Sequence, residues 1–508
     1  MAHGDLAQIA ALLGAGGSAL VLVPARRLLF FAGFALLAAA EAGLAVALVP
    51  RSDLEQLATP AREAGLVLAA LGVVALAAVL VRLPSVVPLV LLIAAPFRLP
   101  VDLGSQHAFL LLPLYGVLAA ASLALLFRAA RGGDLRRIPP LLAGPAAAFI
   151  SFDALSLLWA RDLEQGSIEL VFFIFPFAAL VAVVARSPFA EWLLRSLAGA
   201  LVALAAVFAV IGLLQAWTHT LFFAQDLRVA NAYTTFFRVT SVFKDPSLYG
   251  RHLVLPIVVL VVLLWLGSVR FAIAAPLVGL LFAGLYLSYS QSSMAVLFLA
   301  ALIVTLALAD RRSRRIVTAV ALVAALAGGA VAATTAKGHS VRKATSGRSR
   351  LVSVTTVVIR HHPVAGVGVG SQPLASREEA KTRLGARRDA SHTTPLTVAA
   401  ELGAVGFFFY LVFLASAAKL LMLAVGRRRA VGLGLAAAFL VLFLHSLFYS
   451  GFFEDPITWG VLAVAAASLA VPATAERPAP PLPEALEEAT HDGPLGRAAE
   501  EVEQLPHR

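Results

Sequence analysis

The chain has 508 residues, 60% of them hydrophobic and 14% charged, with a formal net charge of +11 and no cysteine. Apolar runs of about 18–22 residues recur from end to end, the length at which a helix crosses a bilayer. That excludes a soluble globular domain, and the runs lack the strict alternation of a membrane barrel. Disulfides, thiol nucleophiles and thiolate metal sites are excluded as well.

In chain order the apolar segments are 6–24, 28–49, 64–81, 85–97, 108–127, 139–159, 168–185, 196–217, 252–268, 271–288, 293–309, 316–335, 395–425, 430–449 and 457–472. The first lacks a basic leader and a small-residue cleavage boundary, so it reads as a retained span. The 85–97 run is short and broken by proline. The expected fold is therefore an all-α polytopic membrane protein of about 14 transmembrane helices, within a range of about 12–15.

Residues 1–335 form the first block of spans, with a polar loop at 218–251. A large basic loop occupies 336–394, further spans occupy 395–472, and 473–508 reads as a disordered tail rich in Pro, Ala and Glu. Short-loop cations gather at Arg26/Arg27, Arg128–Arg137, Arg186, Arg311–Arg315 and Arg427–Arg429. By the positive-inside tendency these loops are cytoplasmic, as is the tail. The 218–251 loop, the Ser288–Ser293 turn and the 336–394 loop then lie outside. A net positive outer loop runs against that tendency, and an anionic ligand explains it.

Three outer segments carry candidate chemistry. The first contains Arg238 and Lys244 in the run Arg238-Val-Thr-Ser-Val-Phe-Lys-Asp-Pro246. The second contains Arg342, Arg348 and Arg350, followed by His361-His362-Pro363-Val-Ala-Gly366-Val-Gly368-Val-Gly370. The third contains Ser391-His392-Thr393, then Glu401-Leu-Gly403-Ala-Val-Gly406. Guanidinium groups suit phosphate oxygens and stabilise a departing pyrophosphate. His392 stands at a helix start, where it either caps backbone donors or takes a proton from an attacking hydroxyl. Glu401 either orients His392 or accepts the proton itself.

Other features have plainer readings. His361 and His362 are read as structural. The spaced glycines 366, 368 and 370 lie outside any strand–turn–helix unit, so they are read as tight-turn glycines and not as a phosphate cradle. Asp153 and Glu169 flank the 160–167 turn, where both can pair with Arg161. Glu454-Asp455-Pro456 reads as a solvated turn. The outer loops contain no D-x-D pair and no H-E-x-x-H pattern, so no metal or other cofactor is expected. Nucleic acid is not an expected partner.

Taken together, these segments resemble the O-antigen ligase and polymerase family of bacterial membrane glycosyltransferases. The resemblance spreads over 150–460 and is densest from 230 to 410. Asp245 stands where the family has Asn, and Ser290-Gln291-Ser292 replaces a Ser-Arg pair common in the family. The resemblance implies a C-type glycosyltransferase fold in the plasma membrane, working at its outer face without metal. The donor would be a polyprenyl pyrophosphate-linked glycan and the acceptor a hydroxyl of a glycan or lipid, with membrane lipids around it. Arg238 and Arg348 would bind pyrophosphate, aided by Arg350, Lys244 and Arg342; His392 would activate the acceptor, supported by Glu401. The alternative is a transporter or flippase for a lipid-linked or anionic envelope substrate, which the span count permits.

Overall fold

The computed structural model describes residues 3–48, 60–103, 106–223, 225–232, 236–336, 348–379, 391 and 393–470. Arg342, His392 and the 473–508 tail lie outside the described residues, and Arg348 is placed only as the first residue of a helix. Among the described residues, 11 helices are long and apolar enough to cross a membrane. Three shorter apolar helices accompany them, Pro84–Ala94, Phe271–Leu287 and Pro456–Leu469. The helix Arg311–Ala336 begins on an arginine cluster. Each apolar run in the sequence overlaps one of these helices.

Burial divides the helices into two kinds. Glu63–Arg82 turns Leu66, Leu68 and Val74 outward, as a lipid-facing helix must. Leu163–Arg186 and Pro246–Trp265 are largely enclosed. Phe149, Tyr410, Phe413, Phe453 and Trp459 form an aromatic centre, with Phe149 and Phe453 stacked at 4.4 Å between ring centroids. Buried Trp459 donates its indole N–H to the Phe453 carbonyl at 2.9 Å, while the Tyr410 hydroxyl in the same centre has no hydrogen-bond partner among the described residues.

One element departs from the all-α expectation. Strands β1 (Leu99–Leu103) and β2 (Gln106–Leu110) pair antiparallel, with Leu99 opposite Leu110. Pro96 cannot continue the helix Val87–Ala94, and the extended chain that follows satisfies its backbone by pairing with itself.

The loops sort to two ends. Arg27 donates to the Gly132 carbonyl at 2.7 Å, Arg186 to the Pro24 carbonyl at 3.4 Å, and Arg428 lies 3.7 Å from Glu191. Arg27, Arg186 and Arg428, three of the cations assigned to one side by sequence, thus join loops at one end of the bundle. The other end holds the segments 156–162, 236–247, 288–293, 362–379 and 447–455, which carry the polar site.

Candidate functional site

The site begins with a break in a helix. Thr394–Arg427 is interrupted at Gly403, whose φ of 62° and ψ of −163° are open to glycine alone. A break leaves backbone groups without helical partners. The segment Pro363–Gly368 supplies them: Ala404 N–H donates to the Pro363 carbonyl at 2.8 Å and Val405 N–H to Val364 at 3.2 Å. In return Val367 N–H donates to Ala400 at 3.1 Å and Gly368 N–H to Glu401 at 2.8 Å. A Cβ on Gly366 would stand 2.2 Å from the Glu401 carbonyl oxygen. The spaced glycines are thus a lacing, in keeping with the tight-turn reading.

The same segment stitches in a third strand of chain. Trp159 Nε1 donates to the Ala365 carbonyl at 3.1 Å, and Val369 N–H donates to Ser156 Oγ at 2.9 Å. Val358, Val367, Ala375 and Ala400 form a small apolar core beneath. Part of the basic loop is therefore a folded cap, built from the helices Arg348–His361 and Gln372–Glu379.

Glu401 works inside this cap. It is buried, and its Oε1 accepts the Gln372 N–H at 3.2 Å, placing a carboxylate at the start of the helix Gln372–Glu379. Gln372, also buried, accepts the Ser391 N–H on its own Oε1 at 2.9 Å. Ser391 Oγ in turn accepts the Thr393 N–H at 3.2 Å. Both chain neighbours of His392 are thus tied down, and Glu401 reaches them through Gln372. The N-cap position of Thr394–Arg427 falls on Thr393, one residue past His392. Sequence reasoning missed Gln372, which no motif marks.

Arg161 does not pair with Asp153 or Glu169. It meets Glu379 at 2.7 Å and Glu378 at 3.6 Å across the cap. His361 and His362 reach the two oxygens of Glu379 at 2.8 and 2.9 Å. His362 Nε2 also lies 2.7 Å from an Arg161 nitrogen. A proton on Nε2 serves Glu379, and a bare Nε2 accepts from Arg161. Burial pushes the Glu379 carboxyl up, but the bonds from both histidines and the Arg161 charge outweigh it, leaving it below the ordinary carboxylate range. Stability from this stitch is present above that ordinary range and is lost as pH falls through the depressed value. On acidification from neutral pH, wild type should lose more thermal stability than Glu379→Gln, and the two melting temperatures should converge. Parallel curves would show that the stitch contributes nothing.

Arg238 is held by its own backbone. Asn231 Oδ1 accepts the Arg238 N–H at 3.1 Å, and its Nδ2 donates to the Arg238 carbonyl at 3.0 Å. The guanidinium Nε donates to the Ser288 carbonyl at 3.3 Å. Burial lowers the Arg238 pKa and Asp245 opposes the shift; the side chain stays charged. The turn beyond it is pinned by buried Gln215, whose Oε1 accepts from Thr240 and Ser241 N–H at 3.2 and 2.7 Å. Asp245 Oδ1 caps the helix Pro246–Trp265 at Ser247 N–H, 2.7 Å away. Asp caps as well as Asn, so the exchange at this position keeps the local fold.

Beside Arg238, the starts of two helices meet. Ser290 caps Gln291–Leu308, and its Oγ lies 2.9 Å from Ser293 Oγ and 3.3 Å from Ser247 Oγ. The serine group occupies the place where the family's Ser-Arg pair is missing from the sequence. Arg350 sits apart in the first turn of Arg348–His361, and its guanidinium forms no ion pair among the described residues.

The turn Glu454-Asp455-Pro456 is not solvated. Asp455 is buried, caps Pro456–Leu469 through the Ile457 N–H at 2.9 Å, and lies 2.7 Å from Arg251. That contact is close but poorly aligned, since Asp455 Oδ2 and Arg251 Nε each lack a well-directed hydrogen bond. Glu454 beside it is raised by burial, against the charges of Arg98, Arg251 and Lys244. Glu454 also lines a cavity with Asp153, Glu169 and Glu401. A π-helical turn, Leu170–Ile174, directly follows Glu169, a distortion that recurs at functional sites. Glu454 is therefore within electrostatic reach of three cations and lines a cavity with three other carboxyls. Sequence reasoning missed Arg98 and Arg251, neither of which lies in a motif.

Fold and site together define a polytopic α-helical membrane protein with a capped polar site at one end of its bundle. Residues 276–411 match the family described as O-antigen ligase. That match bears out the family resemblance read from the sequence. The matched stretch takes in the serine group, the glycine lacing and the helix break, while Arg238, Lys244 and the Glu454 turn lie beyond it. A search of curated proteins gives no match.

Proposed function

We propose that this protein is a membrane glycosyltransferase, moving a glycan from an undecaprenyl-type polyprenyl pyrophosphate to an acceptor hydroxyl at the outer face of the bacterial plasma membrane. The observation that supports this best is that Arg98, Lys244 and Arg251 all act on Glu454, which also lines a cavity with three other carboxyls. Those cations suit a pyrophosphate. Arg238 and Lys244 hold it, Arg342, Arg348 and Arg350 supply further guanidinium groups, and two helix starts add their positive ends.

The reaction is a direct displacement. The acceptor oxygen forms a bond to the anomeric carbon as the bond to the carrier breaks, and the pyrophosphate leaves with the electron pair. His392 takes the acceptor proton, while Glu401, through Gln372 and Ser391, fixes the chain that carries it. The cationic side chains neutralise the leaving group without a metal. One displacement inverts the anomeric centre. As a polymerase the acceptor is another lipid-linked repeat; as a ligase it is a terminal lipid or glycan.

The test is a purified-protein assay with a lipid-linked glycan and a hydroxyl acceptor. Wild type should form a glycosidic product, and His392→Ala should lower turnover by about a hundredfold or more. No product from wild type sinks the function. Full turnover by His392→Ala sinks the role of the histidine.

A further inference from the structure

The cavity that Glu454 lines has a lining of which the glycan transfer described above uses only Glu401. Asp153, Glu169, Glu401 and Glu454 bring four carboxyls to it, and no lysine, arginine or histidine lines it among the described residues. Asp153 and Glu401 are 6% exposed. Glu401 accepts the Gln372 N–H and Glu169 lies 3.5 Å from the Gln165 amide, but four carboxyls at such depth in a membrane protein call for further partners. Thr394 gives a second, independent indication. It lines the same cavity, is 5% exposed, and its Oγ1 has no hydrogen-bond partner. A buried hydroxyl left in this way is costly.

Both features ask for an occupant that brings charge and hydrogen bonds. A single metal ion does not fit, because no three such side chains converge on one point among the described residues. An anionic group is opposed by the carboxyls, and a purely apolar one leaves them and Thr394 unmet. A protonated amine offers positive charge with three donors. Phe173 and Phe453 add apolar walls to the lining, which suit the C–H face of a sugar ring. Hydroxyls on that ring then reach the remaining carboxyls and Thr394.

We propose that this cavity binds a protonated amino sugar, as the recognition subsite for the acceptor glycan. Its role toward the acceptor rests on the glycosyltransfer reading; the preference for an amine rests on the lining alone. Glu454 belongs both to this lining and to the surroundings of Arg98, Arg251 and Lys244, so a sugar held there lies beside the cations assigned to the donor.

The experiment is direct binding to the purified full chain in nanodiscs of phosphatidylcholine and phosphatidylglycerol, which carry no primary-amine lipid headgroup. Glucosamine, glucose and ethanolamine are titrated separately, and the rise in thermal unfolding temperature gives an apparent Kd. Glucosamine should bind at least about tenfold tighter than glucose, and at least about tenfold tighter than ethanolamine. Glu454→Gln and Thr394→Val keep the local shape, and each should reduce the advantage over glucose by about threefold or more. Equal binding of glucosamine and glucose, or no binding of either, overturns the proposal. Equal binding of ethanolamine assigns the site to a lipid headgroup and also overturns it. An advantage unchanged in both variants places the amine elsewhere, with the same result. Transfer from a lipid-linked donor without this discrimination defeats the subsite and spares the enzyme; discrimination without transfer does the reverse.

Discussion

Gly403→Ala should abolish most turnover and destabilise the protein by about 3 kcal/mol or more. Two causes add. The backbone at Gly403 has a φ of 62°, and an added Cβ would stand 2.3 Å from the Val364 carbonyl oxygen. Side chains rarely adopt that conformation, and the oxygen belongs to backbone that cannot swing aside. Val364 is itself fixed, because its carbonyl accepts the Val405 N–H. To make room, the chain must give up the lacing that joins the 362–370 segment to the broken helix. Glu401 and Gln372 then lose their register, and the tether on Ser391 goes with them. Gly434→Ala in the helix Arg429–Ser446 is the control: a Cβ added there meets nothing within 4 Å, so alanine should be neutral or stabilising by up to about 1 kcal/mol. Denaturant unfolding and turnover of both variants check this. Wild-type stability for Gly403→Ala would mean that the helix can run straight, and that the cap does not depend on the break.

The spans are legible because crossing a bilayer imposes one requirement on every residue of a run, and a single sequence shows it. The candidate site is legible only where a motif is local. The glycine series and the Glu401-x-Gly403 spacing are two halves of one contact, and each half looks ordinary until they meet. The break at Gly403 is hidden in an apolar stretch whose composition continues unchanged on both sides. In the sequence, Asp153 and Glu169 flank the turn that carries Arg161 and read as its partners. The cap instead brings Glu379 to it, and chain distance says nothing about that. Asp455 misleads for a related reason. Asp-Pro before an apolar run looks like an exposed turn, and its burial is decided by Arg251 on another helix. The hairpin at 99–110 gives no signal because its strands are held by their own backbone, not by an alternating apolar face.

Asp455→Asn should cost about 3–5 kcal/mol, the penalty for leaving a buried charge without its partner. Asparagine caps a helix as well as aspartate does, so the bond from Ile457 N–H survives and the loss reports the ion pair to Arg251. The double variant Arg251→Met/Asp455→Asn removes both charges, and it should recover most of that stability. Turnover should not recover with it. Arg251 acts on Glu454 together with Arg98 and Lys244, and on the proposed function it is one of the cations that suit the pyrophosphate. The single variant also removes the Asp455 charge that raises Glu454, so Glu454 should ionise at lower pH than in wild type. Unfolding and turnover of the two variants separate the possibilities. Stability regained with activity still absent identifies Arg251 as part of the working charge, whereas activity regained with stability reduces the pair to a strut between Pro246–Trp265 and Pro456–Leu469.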